Sequence, residues 1–143
     1  MITLREITIN GYNVSSYYLG VVGEHCATKL IITPPSELIC DDVAYYKVLF
    51  KLRNITEPVM TDEYYTYPME IDLVQALTLN SSLAICIVAY DNNDEHLGIS
   101  KKIDGFYFKP SDYNTSKFDQ IRGYTKELIF DINIDDEEDG DGE

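Results

Sequence analysis

Apolar and polar residues alternate most regularly between Ala44 and Arg53, AYYKVLFKLR. Tyr46, Val48, Phe50 and Leu52 fall on one face, and Tyr45, Lys47, Leu49, Lys51 and Arg53 on the other. A period of two over ten residues predicts a strand with one wet face. Its three cations suit a solvated surface or a guarded sheet edge. Ser82 to Tyr90 is nearly all apolar and reads as a central strand. Asp91-Asn92-Asn93-Asp94 follows as a turn, which makes Tyr90 to Leu97 a hairpin. His96 to Ser100 and Lys102 to Lys109 return as strands.

Elsewhere the pattern is shorter. Leu4 to Ile9 forms an imperfect strand, closed by the turn dipeptide Asn10-Gly11. Tyr12 to Val22 is mixed, broken by Ser15-Ser16 and Gly20. Lys29 to Thr33 is an apolar strand stopped by Pro34-Pro35, because Pro34 has no N–H for a ladder. Tyr64 to Met69 is aromatic and extended. In Glu70 to Leu77, Ile71, Val74 and Leu77 recur every three residues, which predicts two helical turns connecting strands. Ser111 to Gly123 is a polar loop, and Tyr124 to Ile134 alternates again. About seven to nine short strands with turn signals between them predict an all-β fold. The expectation is an immunoglobulin-like or jelly-roll-like antiparallel β-sandwich with one short helix over residues 1–134, followed by an acidic, disordered tail at 135–143.

Charge narrows the partners. The 143 residues include 25 carboxylates against 11 cations, for a net charge of −14. Duplex nucleic acid and anionic membranes both require a basic surface, so neither is an expected partner. Seven of the carboxylates crowd into Asp135 to Glu143, which leaves −7 on the remainder. No stretch is apolar for the roughly 18–20 residues of a membrane span. The opening MITLREITIN is charged from its fifth residue, so no signal peptide is expected. Cys26, Cys40 and Cys86 have no paired spacing and read as reduced thiols.

Catalytic chemistry finds little support. His25 and His96 are the only histidines. His25 and Cys26 are adjacent, so on a strand they point to opposite faces and make no dyad. Ser15-Ser16 and Ser81-Ser82 lack a nucleophile-elbow context. Asp91, Asn92, Asp94 and Glu95 hold oxygen ligands of the kind calcium takes, yet a turn has this composition for backbone reasons alone. Asp135-x-Glu137-x-Asp139-Gly140 imitates the start of an EF-hand loop without its twelfth-position glutamate. The sequons at Asn13, Asn54, Asn80 and Asn114 carry no weight without a secretion signal. The protein is read as a non-enzyme with no cofactor and no metal.

Tyrosine is the remaining signal: twelve residues, with no tryptophan. A tyrosine ring offers an apolar face and a hydroxyl together, which suits protein and sugar recognition as well as packing. Paired tyrosines on a strand place one ring on each face. Tyr17, Tyr18, Tyr64, Tyr65 and Tyr67 are the candidate interface residues.

Two stretches, Ile7 to Leu38 (ITINGYNVSSYYLGVVGEHCATKLIITPPSEL) and Leu83 to Ser111 (LAICIVAYDNNDEHLGISKKIDGFYFKPS), carry a resemblance. They resemble the N-terminal, upper-baseplate-like β-sandwich domain of tail and baseplate structural proteins from phages of low-GC Gram-positive hosts. The resemblance implies a virion structural protein, made in the bacterial host cytoplasm. It would act by contact with other tail or baseplate proteins or with copies of itself. After Ser111 the chain departs from that pattern, with no fibre shaft or distal adhesion domain. The alternative expectation is a carbohydrate-binding module on a virion or cell surface.

Overall fold

The computed structural model describes residues 2–52 and 58–110. Within them the chain forms β1 (Arg5–Asn10), β2 (Asn13–Val14), β3 (Tyr18–Val21), β4 (Thr28–Thr33), β5 (Tyr45–Leu52), β6 (Val59–Met60), β7 (Met69–Asp72), β8 (Ser82–Tyr90), β9 (His96–Ile99) and β10 (Ile103–Lys109). Sheet A has the order β2-β1-β4-β7. Sheet B has the order β3-β10-β8-β5-β6, and β9 pairs with β8 beside β10. The two sheets pack face to face around one core, so the all-β sandwich read from the sequence is observed.

Three features differ from expectation. The pairing is mixed: β1 runs parallel to β4, and β3 parallel to β10. No α-helix occurs among the described residues; two 3-10 turns stand at Ser36–Leu38 and Gln75–Thr78 instead. The helix expected over Glu70 to Leu77 is therefore half strand. Met69, Ile71 and Leu73 alternate into the core, and this period of two overrides the spacing of three. Strands also number ten among the described residues, because two short edge pieces, β2 and β6, have only two residues each. The expected loop at 111–123, the strand at 124–134 and the acidic tail lie outside the described residues.

β5 and β8 form the spine of sheet B, in register from Tyr45↔Tyr90 to Leu52↔Leu83. Tyr46, Val48, Phe50 and Leu52 meet Leu83, Ile85, Ile87 and Ala89 in the core, together with Ile7, Ile9, Leu30 and Ile32 of sheet A. β5 is not an edge, since β6 lies beyond it. Pro34 ends β4 where expected. The β1–β2 hairpin turns at Gly11, whose φ of +63° belongs to the primed turns that match strand twist.

Three strand ends share one device. Ser100 donates its N–H to the Ile87 carbonyl, and its Oγ accepts the Ile87 N–H at 2.9 Å. Thr61 treats Val48 in the same way, and Ser15 treats Thr8 likewise. A hydroxyl thus replaces the backbone carbonyl as ladder acceptor, and the chain turns away without orphaning its partner's N–H.

Candidate protein-contact surface

The outer faces of the two sheets differ. Sheet A presents Glu6, Thr8, Asn10, Lys29, Thr33, Glu70 and Asp72, with Ile31 as its one apolar residue. Lys29 and Glu70 pair across this face at 3.4 Å. Sheet B presents Tyr45, Lys47, Leu49 and Lys51 from β5, opposite Tyr90, Val88, Cys86 and Ala84 from β8. Ile99 of β9 stands beside Val88 and is 50% exposed. β8 is therefore apolar on both faces, as a strand covered on both sides would be.

One end of this face is aromatic and acidic. Tyr45 and Tyr90 stack with centroids 5.0 Å apart and planes at 10°. Tyr65 tilts against Tyr45 at 5.6 Å, and His96 meets Tyr90 edge-on. The Tyr45 hydroxyl donates to Asp94 Oδ1 at 3.0 Å, and the Tyr65 hydroxyl to Glu63 Oε1 at 2.7 Å. Burial of its ring and then the Asp94 carboxylate push the Tyr45 phenol up to about 12. The hydrogen bond to Glu63, followed by burial, raises Tyr65 as well. Lys47 leans toward this end, its Nζ 5.8 Å from the Tyr90 centroid. The other end is basic. Lys51 and Lys102 both act on Cys86, whose thiol burial nevertheless raises above the ordinary value.

The five tyrosines singled out from the sequence do not form one surface. Tyr17 and Tyr18 lie at the β3 edge, Tyr18 against Tyr107 and Tyr17 against Phe106. Tyr64, Tyr65 and Tyr67 lie beyond β5, where Tyr64 bridges Tyr46. Four strand spacings, about 19 Å, separate the groups. Tyr17, Tyr65 and Tyr67 are exposed, while Tyr18 and Tyr64 are half-buried. Tyr18 holds a cation on its ring from each of two elements, Arg5 at 5.3 Å and Lys109 at 5.2 Å. Sequence reasoning placed Tyr45 on the outer face of its strand but left it and Tyr90 out of the candidate interface. Their pairing was legible only as tyrosines at the matching ends of the two strands read with most regularity.

Two of the groups weighed for chemistry hold backbone N–H groups. His25 Nδ1 accepts the Gln75 N–H. Asp91 Oδ1 accepts the Asn93 and Glu95 N–H groups, which is turn chemistry. Among the described residues no group of three or more histidines, cysteines and carboxylates is placed to hold a metal ion. No helix among them is long and apolar enough to cross a membrane. Compared with known proteins, the sequence matches no family model, and no curated protein matches it.

Proposed function

We propose that the protein is a non-enzymatic structural component of a phage virion, placed in the tail or baseplate and acting through protein–protein contact. The observation that carries the contact role is the outer face of sheet B. Its apolar centre is already buried, but Tyr65 and Ile99 at its rim stand 66% and 50% exposed beside the Tyr45–Tyr90 stack, whereas the outer face of sheet A is mostly polar. Tyrosine-rich, half-dry faces of this kind are what protein interfaces are built from. The virion assignment rests on the resemblance of residues 7–38 and 83–111 to baseplate sandwich domains. The test is co-expression with tail and baseplate proteins, followed by light scattering and binding titration of the purified pairs. A defined complex, or defined self-association, at micromolar concentration is the expected result. Neither at that concentration refutes the reading.

A second reading is favoured by one residue. Tyr65 is 66% exposed, and its hydroxyl is tied to Glu63. An exposed ring beside a carboxylate is a stacking platform for a sugar. Glycan-array binding that Tyr65→Ala abolishes supports a carbohydrate module; an array without signal refutes it.

A further inference from the structure

Most cations of the described residues are already engaged. Arg5 and Lys29 pair with Glu24 and Glu70, and Lys47 and Lys109 lean over tyrosine rings. Lys51 and Lys101 form no ion pair among the described residues, and Lys102 holds only Asp104, at 3.4 Å, with side chains 52% and 64% exposed. Lys51 lies opposite Ala84 in the β5–β8 register. Beyond Ala84 the pairing of β8 with β10 shifts between Ile103↔Ile85 and Phe106↔Leu83, so β10 bulges, with Gly105 in the bulge at φ +98°. Two strand spacings, about 10 Å, therefore separate Lys51 from β10, and neither Ala84 nor Gly105 fills the gap. The outcome is an open cleft of about 340 Å³ lined by Lys51, Ser82, Ala84, Lys102, Asp104 and Gly105. Its floor is closed, since Ala84 is 6% exposed, and the groups open to a ligand are the exposed lysines at its rim. Both lysines also act on the Cys86 thiol, so they converge from the two sides of β8. One outward position further along β8 is Val88, against which Ile99 stands 50% exposed.

We infer that this cleft and its rim seat an acidic segment of a partner protein, with a carboxylate between Lys51 and Lys102 and an aliphatic side chain against Ile99. The inference rests on the protein-contact reading above and names the kind of partner. Charge complementarity carries it. The chain has a net charge of −14, and the opposite end of the same face holds Asp94 and Glu63, so two converging cations with a single exposed carboxylate between them are an exception on this surface. A carboxylate in the cleft meets both ammonium groups above an apolar floor, where attraction is stronger than in open water. The Lys102–Asp104 pair is exposed, and such pairs contribute little, so an incoming carboxylate can take the place of Asp104. The apolar rim points to a peptide over a small anion. Ile99 lies four residues of β8 away from Ala84, about 13 Å, which a free phosphate at the cleft cannot cover and three or four extended residues of a peptide can.

The test is an NMR titration of the full chain with a synthetic peptide of two leucines followed by four glutamates, at about 0.05 M salt. Amide shifts at Ala84, Ile99 and Gly105 that saturate with a dissociation constant of about 1 mM are the expected result. Lys51→Gln and Lys102→Gln each weaken binding about fivefold, and about 0.3 M salt does the same. Asp104→Asn, which frees Lys102, tightens it. Lys29→Gln, on the outer face of sheet A, leaves it unchanged. These are exposed or half-buried positions, and an unchanged spectrum away from the cleft shows that each variant is folded. No shift at about 10 mM peptide overturns the inference, as do shifts scattered over the surface or binding that neither lysine variant weakens. Equal binding of glutamates without the leucines, or of inorganic phosphate alone, overturns the assignment to a peptide. A chain that ignores the peptide yet forms a defined complex with a tail protein overturns this inference and leaves the proposed function standing. Peptide binding in the cleft without self-association or any tail-protein complex does the reverse.

Discussion

Gly20→Ala tests how the N-terminal strands are stitched together. Gly20 sits in β3 at φ +120°, a conformation open to glycine alone, and a Cβ there would collide with Glu24 Oε1 and Arg5 Nη1. Those two atoms form an ion pair at 2.8 Å, with the side chains only 21% and 24% exposed. Arg5 also donates to Thr28 Oγ1, and Glu24 accepts the Val21 N–H, each at 2.8 Å. The substitution therefore costs about 1–3 kcal/mol in backbone strain. Displacing the charged hydrogen bonds costs a further roughly 1.5–3 kcal/mol. A total of about 4 kcal/mol is roughly a quarter or more of the stability of an ordinary domain. In urea, with a slope of about 2 kcal/mol/M, the unfolding midpoint falls by about 2 M. Burial disfavours the Glu24 charge, but the Arg5 and Val21 hydrogen bonds outweigh it, so its pKa lies below the usual 4.5. The ion-pair contribution is thus present above 4.5 and is lost as pH falls through the depressed folded value, and the cost of Gly20→Ala shrinks with it. In an Arg5→Ala, Glu24→Ala background the collision partners are gone and only the backbone cost remains. A coupling below about 0.5 kcal/mol between Gly20→Ala and that background refutes the argument that Gly20 makes room for the pair.

Two further predictions follow from groups with unusual partners. The Tyr45 phenol is raised to about 12 by burial and the Asp94 carboxylate, so its stabilising effect is complete below 10 and is lost as pH rises toward 12. Tyr45→Phe removes the last step of the phenolate absorbance titration and flattens the alkaline loss of stability between those values; an unchanged titration refutes the assignment. Ser100→Ala leaves the buried Ile87 N–H without its acceptor and costs about 1–3 kcal/mol by chemical denaturation. A cost no larger than that of an ordinary surface substitution, about 0.5 kcal/mol, shows that water or another group takes over.

Sequence pattern carried the strands of sheet B and little of their partnership. β5 and β8 were legible because burial imposes a period of two on one and an unbroken apolar run on the other. Their mutual register was not, and neither was the parallel pairing of β1 with β4 and β3 with β10, because alternation records which face is buried and not which strand lies alongside. Ile71, Val74 and Leu77 misled because residues three apart also arise when a strand runs into a 3-10 turn: Ile71 belongs to β7 and Leu77 to the turn after it. The tyrosines were visible as a composition, but their grouping depends on sheet order. Tyr17 and Tyr18 enter beside β10, while Tyr64, Tyr65 and Tyr67 enter beside β5, at opposite margins of the same sheet.

The edges of sheet B bear on how the domain can associate. A bare edge strand invites another chain to extend the sheet. β3 is not bare. The Leu19 carbonyl accepts Thr28 Oγ1 at 2.6 Å, Glu24 takes the Val21 N–H, and Ser16 Oγ accepts the Tyr18 N–H at 3.2 Å. At the opposite margin β6 has two residues, and Thr61 spends its hydroxyl on Val48 and on the Asp62 carbonyl. Strand addition at either margin would have to displace side chains that already satisfy these groups. The broad face is itself covered at its centre, where Val88 is 2%, Ala84 6% and Cys86 7% exposed, and its apolar part opens only toward Ile99 at its margin. Contact through open side chains such as Ile99 and Leu97 buries apolar surface without breaking ladder hydrogen bonds, whereas contact through the edges breaks hydrogen bonds first. That asymmetry directs association of this domain to side chains rather than to backbone.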